Sequence, residues 1–300
     1  MKPTWLIEAG VYDAEVDPLL AEIRRQGMAT GVLPHRSLTK GPTPAVDGRP
    51  LGDGDCVIGY GTFPFARQIQ VHRRWVPGAW ANQENLDCTT YFAHFGKYLL
   101  NQRYTILPGV EAIRQREWLY SVFGRDGSVF ARPTGCQKLF VGRCLAESSF
   151  ADALAPTRYD PATLVVIASP RPIAREWRLV VSRDRVIAAS RYAEDGTRSI
   201  APGCPDEIRE FAEAVLADVR WRPDPIFMMD VCESYARPWL VELNGFSCSW
   251  LYRCDLPAVV AEASELASRA QERVGPAVPA ADDNRGEAAG TAGPTSCLGL

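Results

Sequence analysis

The sequence predicts a protein of mixed α/β and α+β class, in which a small doubly wound layer precedes a larger part built on antiparallel hairpins. Over roughly the first sixty residues, apolar runs typical of strands alternate with a helical pattern and a loop rich in glycine and proline. Farther along, residues 174–192 and 226–243 each hold two strand-like runs around a short polar break. That arrangement is typical of a β-hairpin.

The first layer is predicted from three strands and one helix. The strands are expected at Thr4–Ala9, Thr30–Leu33 and Asp55–Tyr60. Asp17 and Pro18 suit the N-cap and the first position of a helix that ends at Gly27. The turn after the third strand lacks the glycine patterns of dinucleotide and P-loop sites, so neither kind of site is indicated.

A helix and a turn flanked by two cations come next. The helix is predicted over Asn85–Asn101, with Asp87 as its cap and an aromatic stripe as its core face. Two strands are expected at Trp118–Phe123 and Ser128–Arg132. Arg132 and Lys138 then bracket a Pro-Thr-Gly turn, and fixed cations beside such a turn suit a phosphate group. A pair of solvated surface cations is the alternative explanation.

The hairpin at 174–192 carries charged residues on one predicted face. Glu176 and Arg178 lie two residues apart and therefore share a face, and Arg191 lies on the returning strand. An exposed ladder of arginine and glutamate would show the same pattern, and each of its pairs would contribute less than ~1 kcal/mol. A strand is expected before this hairpin at Thr163–Ser169, and amphipathic helices are expected at 206–219 and 256–274.

The hairpin at 226–243 is the most informative stretch. Asp230 lies near the end of its first strand, and Glu242 and Asn244 lie near the end of the second. In an antiparallel pair these three side chains can meet on one face. Two carboxylates and an amide oxygen are costly to cluster unless a cation neutralises them, and hard oxygen ligands suit Mg²⁺ shared with substrate phosphates. An ordinary exposed hairpin with an acid on each strand is the alternative.

Composition argues against several classes of function. The 300 residues carry a net charge of −3 and no dense run of Lys or Arg, so no nucleic-acid partner is indicated. Nine cysteines without a CxxC pair, together with only three histidines, argue against a zinc site and for reduced thiols. Neither a signal peptide nor a membrane span is indicated, so we expect a cytoplasmic protein without a membrane partner.

Four stretches of the sequence together resemble a known family. The series from Asp230 to Glu242 and Asn244 resembles the metal-binding signature of the ATP-grasp enzymes. The helix at 85–101, the Arg-Pro followed by Lys138, and the stretch GFSCSWLYRCD at 245–255 resemble a clade marked by two arginines and one lysine. The resemblance implies an ATP-grasp fold with a small Rossmann-like N-terminal pre-domain. Residues 1–84 would form the pre-domain, residues 85–274 the catalytic lobes, and residues 275–300 a disordered tail.

The same resemblance implies a role for each charged residue. Asp230, Glu242 and Asn244 would hold Mg²⁺ against the phosphates of ATP. The phosphates would also contact Arg132 and Lys138, and the ribose hydroxyls would bind Glu176. The transferred phosphate and an acyl phosphate would be stabilised by Arg178 and Arg191. The hinge IASPRPI at 167–173 lacks the acid that many ATP-grasp enzymes carry there, so the choice of base stays open.

The resemblance implies an ATP-dependent ligase that joins a carboxylate to an amine through an acyl phosphate. A kinase of the same fold and a nucleotide-binding module without catalysis are the alternatives. Tyr252, Arg253 and Asp255 follow the last hairpin directly and would suit an amino acid or a peptide end as substrate. The segment 250–252 packing against the last helix is the competing interpretation. The sequence leaves the oligomeric state open.

Overall fold

A computed structural model of the protein describes residues 2–34, 44–135, 139–155 and 160–274. In these residues the chain forms a four-stranded parallel sheet, antiparallel sheets of four and five strands, and a short two-stranded hairpin, with helices packed on the three main sheets. None of the helices in the described ranges is long and apolar enough to cross a membrane. Lys138 and the predicted tail 275–300 lie outside the described residues, so Arg132 is the part of the expected phosphate grip that can be located.

The first sheet confirms the predicted doubly wound layer. Its strand order is β2-β1-β5-β6, and all its pairs are parallel. The elements of this layer, with a small hairpin of β3 and β4 beside it, are β1 (Thr4–Glu8), α1 (Asp13–Arg25), β2 (Ala29–Leu33), β3 (Ala45–Val46), β4 (Arg49–Pro50), β5 (Cys56–Tyr60), α2 (Phe63–His72) and β6 (Val76–Gly78).

The predicted start of α1 is wrong by one turn. The helix begins at Asp13, so Asp17 and Pro18 lie inside it and not at its N-terminus. Tyr12 precedes the helix in the left-handed conformation, with φ at 55°, and its hydroxyl donates to the carbonyl of Gly61 at 2.9 Å. This contact between distant parts of the chain sets the start of the helix, and local sequence does not reveal it.

The second sheet is antiparallel, with the order β7-β10-β8-β9. The elements around it are α3 (Cys88–Phe95), a 3₁₀ turn (Gly96–Tyr98), β7 (Tyr104–Pro108), α4 (Gly109–Arg114), α5 (Arg116–Phe123), β8 (Ser128–Pro133), β9 (Arg143–Ala146), α6 (Glu147–Ala153) and β10 (Leu164–Ala168). Asp87 caps α3 as expected, because its carboxylate accepts from Thr89 N at 2.9 Å. Helix α3 ends at Phe95, before the predicted end at Asn101.

The strand predicted at Trp118–Phe123 is wrong, because these residues belong to helix α5. Leu119 and Phe123, four residues apart, are buried, whereas Trp118 and Val122 are exposed. A dense run of aromatic and branched residues hid this helical spacing.

The third sheet is also antiparallel and contains both predicted hairpins. Its order is β13-β12-β11-β14-β15. The elements of this part are β11 (Arg175–Ser182), β12 (Arg185–Glu194), β13 (Thr197–Pro202), α7 (Asp206–Asp218), β14 (Ile226–Ser234), β15 (Arg237–Gly245), a 3₁₀ turn (Phe246–Cys248) and α8 (Leu256–Val274).

The third sheet lies between two hydrophobic cores. On one face, Val180 and Met228 join a core that also contains Trp5, Tyr60 and residues of α8. On the other face, Leu179 and Met229 join the aromatic residues of α3 and the apolar face of α7. The first layer and the third sheet therefore share one core, and the near-continuous apolar runs of β11 and β14 follow from burial on both faces.

Phe246 lies at the centre of the shared core. It is fully buried, and its ring centroid lies 6.3 Å from that of Trp5, 6.1 Å from that of Tyr60 and 5.8 Å from that of Trp80. We expect Phe246→Ala to lower the free energy of unfolding by about 3–5 kcal/mol, because it leaves a cavity among rings that cannot collapse. Denaturant titration measures this loss. Tyr235→Ala, at an exposed turn, should change the free energy of unfolding by less than about 0.5 kcal/mol. An equal loss for the two variants would contradict the central place of Phe246 in the shared core.

The segment that leaves the first sheet is tied to the start of β14. Asn82 N donates to Asp224 Oδ2 at 2.9 Å, and Asn85 Nδ2 donates to the carbonyl of Pro223 at 2.8 Å. Burial raises the pKa of Asp224 to about 7, even though the hydrogen bond from Asn82 opposes the change. The folded protein therefore holds a proton on Asp224 that the unfolded chain releases near pH 4.

This difference predicts a pH-dependent effect of Asp224→Asn. The contribution of Asp224 to stability falls as the pH rises from about 4 to about 7, because the folded state binds the extra proton. Asparagine keeps an acceptor oxygen for Asn82 and cannot ionise. We therefore expect the variant to gain at least about 1 kcal/mol relative to the wild type between pH 5 and pH 8 in denaturant titrations. Asp126→Asn, at an exposed turn, is the control, and an equal gain in stability for both variants would contradict this explanation.

Candidate active site

Charged residues lie together at one end of the third sheet. They are on the same face of the sheet as Val180 and Met228, which belong to the shared core farther along the strands. The strand register places Arg178 of β11 opposite Asp230 of β14, and Asp230 opposite Glu242 of β15. Asn244 lies two residues beyond Glu242, and its Nδ2 donates to Asp230 Oδ2 at 3.1 Å and to Glu242 Oε1 at 2.9 Å. The three predicted metal ligands thus lie together.

Arg178 and Asp230 form a buried, bidentate ion pair. Arg178 Nε and Nη2 donate to the two carboxylate oxygens of Asp230 at 2.9 and 2.7 Å, and the residues are 5% and 1% exposed. Burial alone lowers the pKa of Arg178, but the Asp230 carboxylate raises it well above its ordinary value. The guanidinium also lies 5.8 Å from the ring centroid of Tyr192 and 5.3 Å from that of Tyr252. The charged guanidinium of Arg178 is therefore fixed by the Asp230 carboxylate and by two tyrosine rings.

A second ion pair joins the two larger sheets. Arg132 Nη2 of β8 lies 2.9 Å from Glu242 Oε2 of β15, and both side chains are mostly buried. Glu176 lies on the same open face and accepts from the Tyr192 hydroxyl at 2.8 Å. Burial raises the pKa of Glu176, and the neighbouring Asp230 and Glu242 carboxylates raise it further. Three carboxylates thus lie close together, and their mutual repulsion favours an added cation.

A cavity of about 440 Å³ opens between the second and third sheets beside these residues. Its apolar part comes from side chains on both sheets, and its polar end is formed by Arg132, Glu176, Tyr192 and Glu242. Arg171 and Ile173 of the predicted hinge also line it. A cavity lined by both apolar and charged side chains suits a nucleotide, because the base needs apolar walls and the phosphates need cations.

The donor set fits Mg²⁺ when a substrate supplies the remaining ligands. Among the residues that the structure describes, no group of three or more His, Cys, Asp or Glu side chains is arranged to hold a metal on its own. Asp230 and Glu242 contribute carboxylate oxygens, and Asn244 carries an amide oxygen. Mg²⁺ commonly takes one or two carboxylates together with phosphate oxygens and water, so these residues fit that ion.

Arg191 is not brought to Arg178. A β-bulge between Glu176 and Trp177 shifts the pairing, so that Arg191 lies opposite Trp177 and Arg178 lies opposite Ser190. Trp177 is buried in the core on the other face, and the Arg191 guanidinium pairs with Glu194 at 3.0 Å. The sequence predicts Arg191 on the returning strand, where it lies, and the bulge is the physical reason that its side chain does not meet Arg178.

Of the three site residues predicted in the segment after β15, Tyr252 is the one that lies beside Arg178. The Tyr252 ring stacks on that of Tyr192, with 5.4 Å between the ring centroids, and adjoins Arg178. Arg253 has an exposed side chain, and its backbone N–H donates to Ser190 Oγ at 3.2 Å. Asp255 Oδ1 accepts from Ala258 N at 3.2 Å, which caps α8. The competing interpretation, that residues 250–252 pack against the last helix, fits Leu251, which is buried in one cluster with residues of α8.

Sequence reasoning missed Glu15 of α1. Its two carboxylate oxygens accept from the backbone N–H groups of Leu251 and Tyr252, both at 2.8 Å, and the residue is 8% exposed. Tyr252 adopts a left-handed conformation there, with φ at 52°. Glu15 thus fixes the backbone that presents the Tyr252 ring. Its partners lie 236 and 237 residues away, so no local pattern could have identified it.

Comparison with known families finds one match. Residues 111–261 match the ATP-grasp domain, R2K clade family 2. This range is half of the chain and contains Arg132, Glu176, Arg178, Asp230 and Glu242. A comparison with curated proteins finds no matching sequence.

Solved structures with a similar fold include two synthetases and an ATP-grasp ligase. D-cycloserine synthetase DcsG is 15% identical with a TM-score of 0.59, and the match covers 89% of this chain and 99% of that one. ATP-grasp ligase PsnB, complexed with a minimal precursor, is 15% identical with a TM-score of 0.55 over 91% and 99% of the chains. D-alanyl-alanine synthetase A from Vibrio cholerae O1 biovar eltor is 12% identical with a TM-score of 0.56 over 91% and 98%. These likenesses confirm the predicted fold.

The buried ion pair predicts a large cost for removing one partner. We expect Asp230→Asn to lower the free energy of unfolding by about 3 kcal/mol or more, because Arg178 would keep its charge without a compensating carboxylate. In a double-mutant cycle with Arg178→Met, the two losses should fall short of additivity by at least about 1 kcal/mol.

The matched control uses the partly exposed pair on the same two strands. Arg175 lies opposite Glu233, with 2.6 Å between Nη2 and Oε2. Glu233→Gln should cost less than about 1 kcal/mol. Equal losses for Asp230→Asn and Glu233→Gln in denaturant titrations would show that Arg178 and Asp230 are not coupled as described.

Proposed function

Because the chain belongs to the R2K clade of ATP-grasp domains, family 2, we propose that it is an ATP-dependent ligase that joins a carboxylate to an amine. The observation that carries the proposal is the juxtaposition of the 440 Å³ cavity with the cluster of Arg132, Arg178, Asp230, Glu242 and Asn244. An apolar pocket that ends in paired arginines and carboxylates suits a nucleoside triphosphate and the charge that its reaction develops.

The proposed reaction has two steps. A carboxylate oxygen of the substrate attacks the γ-phosphorus of ATP, the bond from that phosphorus to the bridging oxygen breaks, and ADP leaves. The nitrogen of an amine then attacks the acyl carbon, the carbon–oxygen bond to phosphate breaks, and the amine loses a proton. The products are an amide, ADP and phosphate. In this proposal Arg178 stabilises the negative charge on the acyl phosphate, because its guanidinium is already oriented by Asp230.

The chain's own residues divide the remaining work. Arg132 would exchange its contact with Glu242 for the phosphates of ATP, and Glu176 would accept from the ribose hydroxyls at the rim of the cavity. Asp230, Glu242 and Asn244 would hold Mg²⁺, which supplies charge neutralisation to the phosphates when it is bound. Lys138 stays a proposed phosphate contact, and Arg191 stays a proposed contact only if the β12 strand shifts in the complex. The apolar walls of the cavity would limit the access of water to the acyl phosphate.

The test of the proposed function is direct. The protein is incubated with Mg²⁺ and ATP and with pools of amino acids and short peptides, and phosphate release and product mass are followed. Ligation predicts free phosphate and a product lighter by one water than its two substrates. A product heavier by one phosphoryl group would make the protein a kinase. No ATP consumption with any pool would contradict both.

Glu242→Gln gives the sharpest single test of the metal-binding residues. We expect kcat to fall on the order of 100-fold or more, because the phosphates would lose a charged metal ligand. Thermal unfolding should still show a folded protein, since Glu242 lies at the cavity and not in a core. Glu233→Gln on β14 is the matched control and should keep kcat within about 2-fold of the wild type. A fully active Glu242→Gln variant would remove Glu242 from the proposed site.

A further inference from the structure

A second cavity adjoins the 440 Å³ cavity, and the two have Tyr192 in common as a lining residue. It measures about 290 Å³ and is lined by Tyr192, Ala193, Gly196, Thr197, Arg198, Trp250 and Tyr252. Tyr192 also lines the larger cavity. Arg178, the arginine proposed to face the acyl phosphate, contacts the rings of both Tyr192 and Tyr252. The second cavity therefore lies immediately beside the place where the substrate carboxylate would react.

The cavity wall is a fixed ladder of aromatic rings. The rings of Tyr192 and Tyr252, and those of Tyr252 and Trp250, are both within 15° of parallel, with centroids 5.4 and 6.2 Å apart. Tyr12 packs edge-on against Trp250 at 4.7 Å. The backbone under this ladder is held by Glu15, as described above. These contacts form the cavity before any substrate arrives.

Arg198 gives this cavity a positive charge. Its guanidinium lies 5.5 Å from the centroid of the Trp250 ring. Within the described residues no carboxylate pairs with Arg198, whereas Arg175, Arg178, Arg185 and Arg191 on the same sheet each pair with one. Stacking on Trp250 leaves the edge of the guanidinium, which carries its N–H donors, able to meet an anion.

No acidic side chain among the lining residues opposes this charge. Glu15 lies close enough for Arg198 to lower its pKa, but burial raises the pKa more strongly. Both of its oxygens already accept from backbone N–H groups, and the residue is almost inaccessible. Glu15 therefore supports the wall of the cavity and does not compete for Arg198 there.

We infer that the second cavity binds the carboxylate substrate and that this substrate carries a second carboxylate, which Arg198 binds. One carboxylate would face the nucleotide beside Arg178, and the other, which is not consumed, would contact the guanidinium of Arg198. The substrate class is a compact dicarboxylate, such as an acidic amino acid or a short peptide with an acidic side chain. This inference rests on the proposed ligase function and adds the substrate class and the residue that selects it.

The experiment compares substrates that differ by one carboxylate. The wild type is assayed by phosphate release with glutamate against glutamine, aspartate against asparagine, and acidic dipeptides against their side-chain amides, each with ATP, Mg²⁺ and a pool of amines. The dicarboxylate of a pair should have the higher kcat/KM. For the best dicarboxylate, Arg198→Gln should raise KM about 10- to 100-fold, because a charge-assisted hydrogen bond is lost, and KM for ATP should stay the same.

Two variants complete the design. Arg198→Lys should recover part of the lost affinity, because it restores the charge without the planar fork. Arg183→Gln, at the turn between β11 and β12 at the far end of the hairpin, is the matched control and should leave KM unchanged. Arg198 is exposed, so its substitution should leave the melting temperature close to that of the wild type.

The outcomes separate the inference from the function that it rests on. Turnover that favours substrates without a second carboxylate, or an unchanged KM for dicarboxylates in Arg198→Gln, overturns the inference and leaves the ligase proposal standing. Absence of phosphate release with every pool overturns the ligase proposal, and the inference falls with it. A rise in KM confined to dicarboxylates supports both.

Discussion

The ion pair between Arg178 and Asp230 is the interaction on which the rest of the site depends. It lies between the central strands β11 and β14, and both partners are almost inaccessible. Two charges removed from water are stable only when their geometry is good and their remaining hydrogen-bonding groups are satisfied. Trp250 O and Asn244 Nδ2 supply those further contacts. The segment after β15 and the polar end of β15 are therefore positioned around this one pair.

The second ion pair has a different role, because it crosses between sheets. Arg132 and Glu242 hold the second and third sheets together at the polar end of the larger cavity. A phosphate group entering there would attract Arg132, and a cation would attract Glu242. Ligand binding would thus replace one cross-sheet contact by two contacts through the ligand. The pair of Arg132 and Glu242 therefore holds the two sheets a fixed distance apart and leaves the cavity between them open.

The sequence predicts the site best where short-range geometry decides it. Asp230, Glu242 and Asn244 belong to one hairpin, so strand alternation was enough to bring them together. For Arg191 the sequence predicts only the strand, because one bulge changes which residues of β11 and β12 face each other. The helix at Arg116–Phe123 has the composition of a strand, because its buried Leu119 and Phe123 alternate with exposed apolar residues. Glu15, Tyr12 and Arg198 act through contacts with residues far along the chain, and alternation carries no information about those.

The shared core has a consequence for how the chain is made. Ile7 and Ile58 of the first sheet pack in one cluster with Val259, Val260 and Ala263 of α8, and Trp5 Nε1 donates to Ser264 Oγ at 3.1 Å. A ribosome delivers β1 first and α8 roughly two hundred and fifty residues later, which at typical rates of synthesis is a delay of tens of seconds. During that interval the nascent first layer exposes Trp5 and Tyr60. The first layer thus waits for its partner helix throughout this interval, and a chaperone that covers aromatic surface would have these side chains to protect.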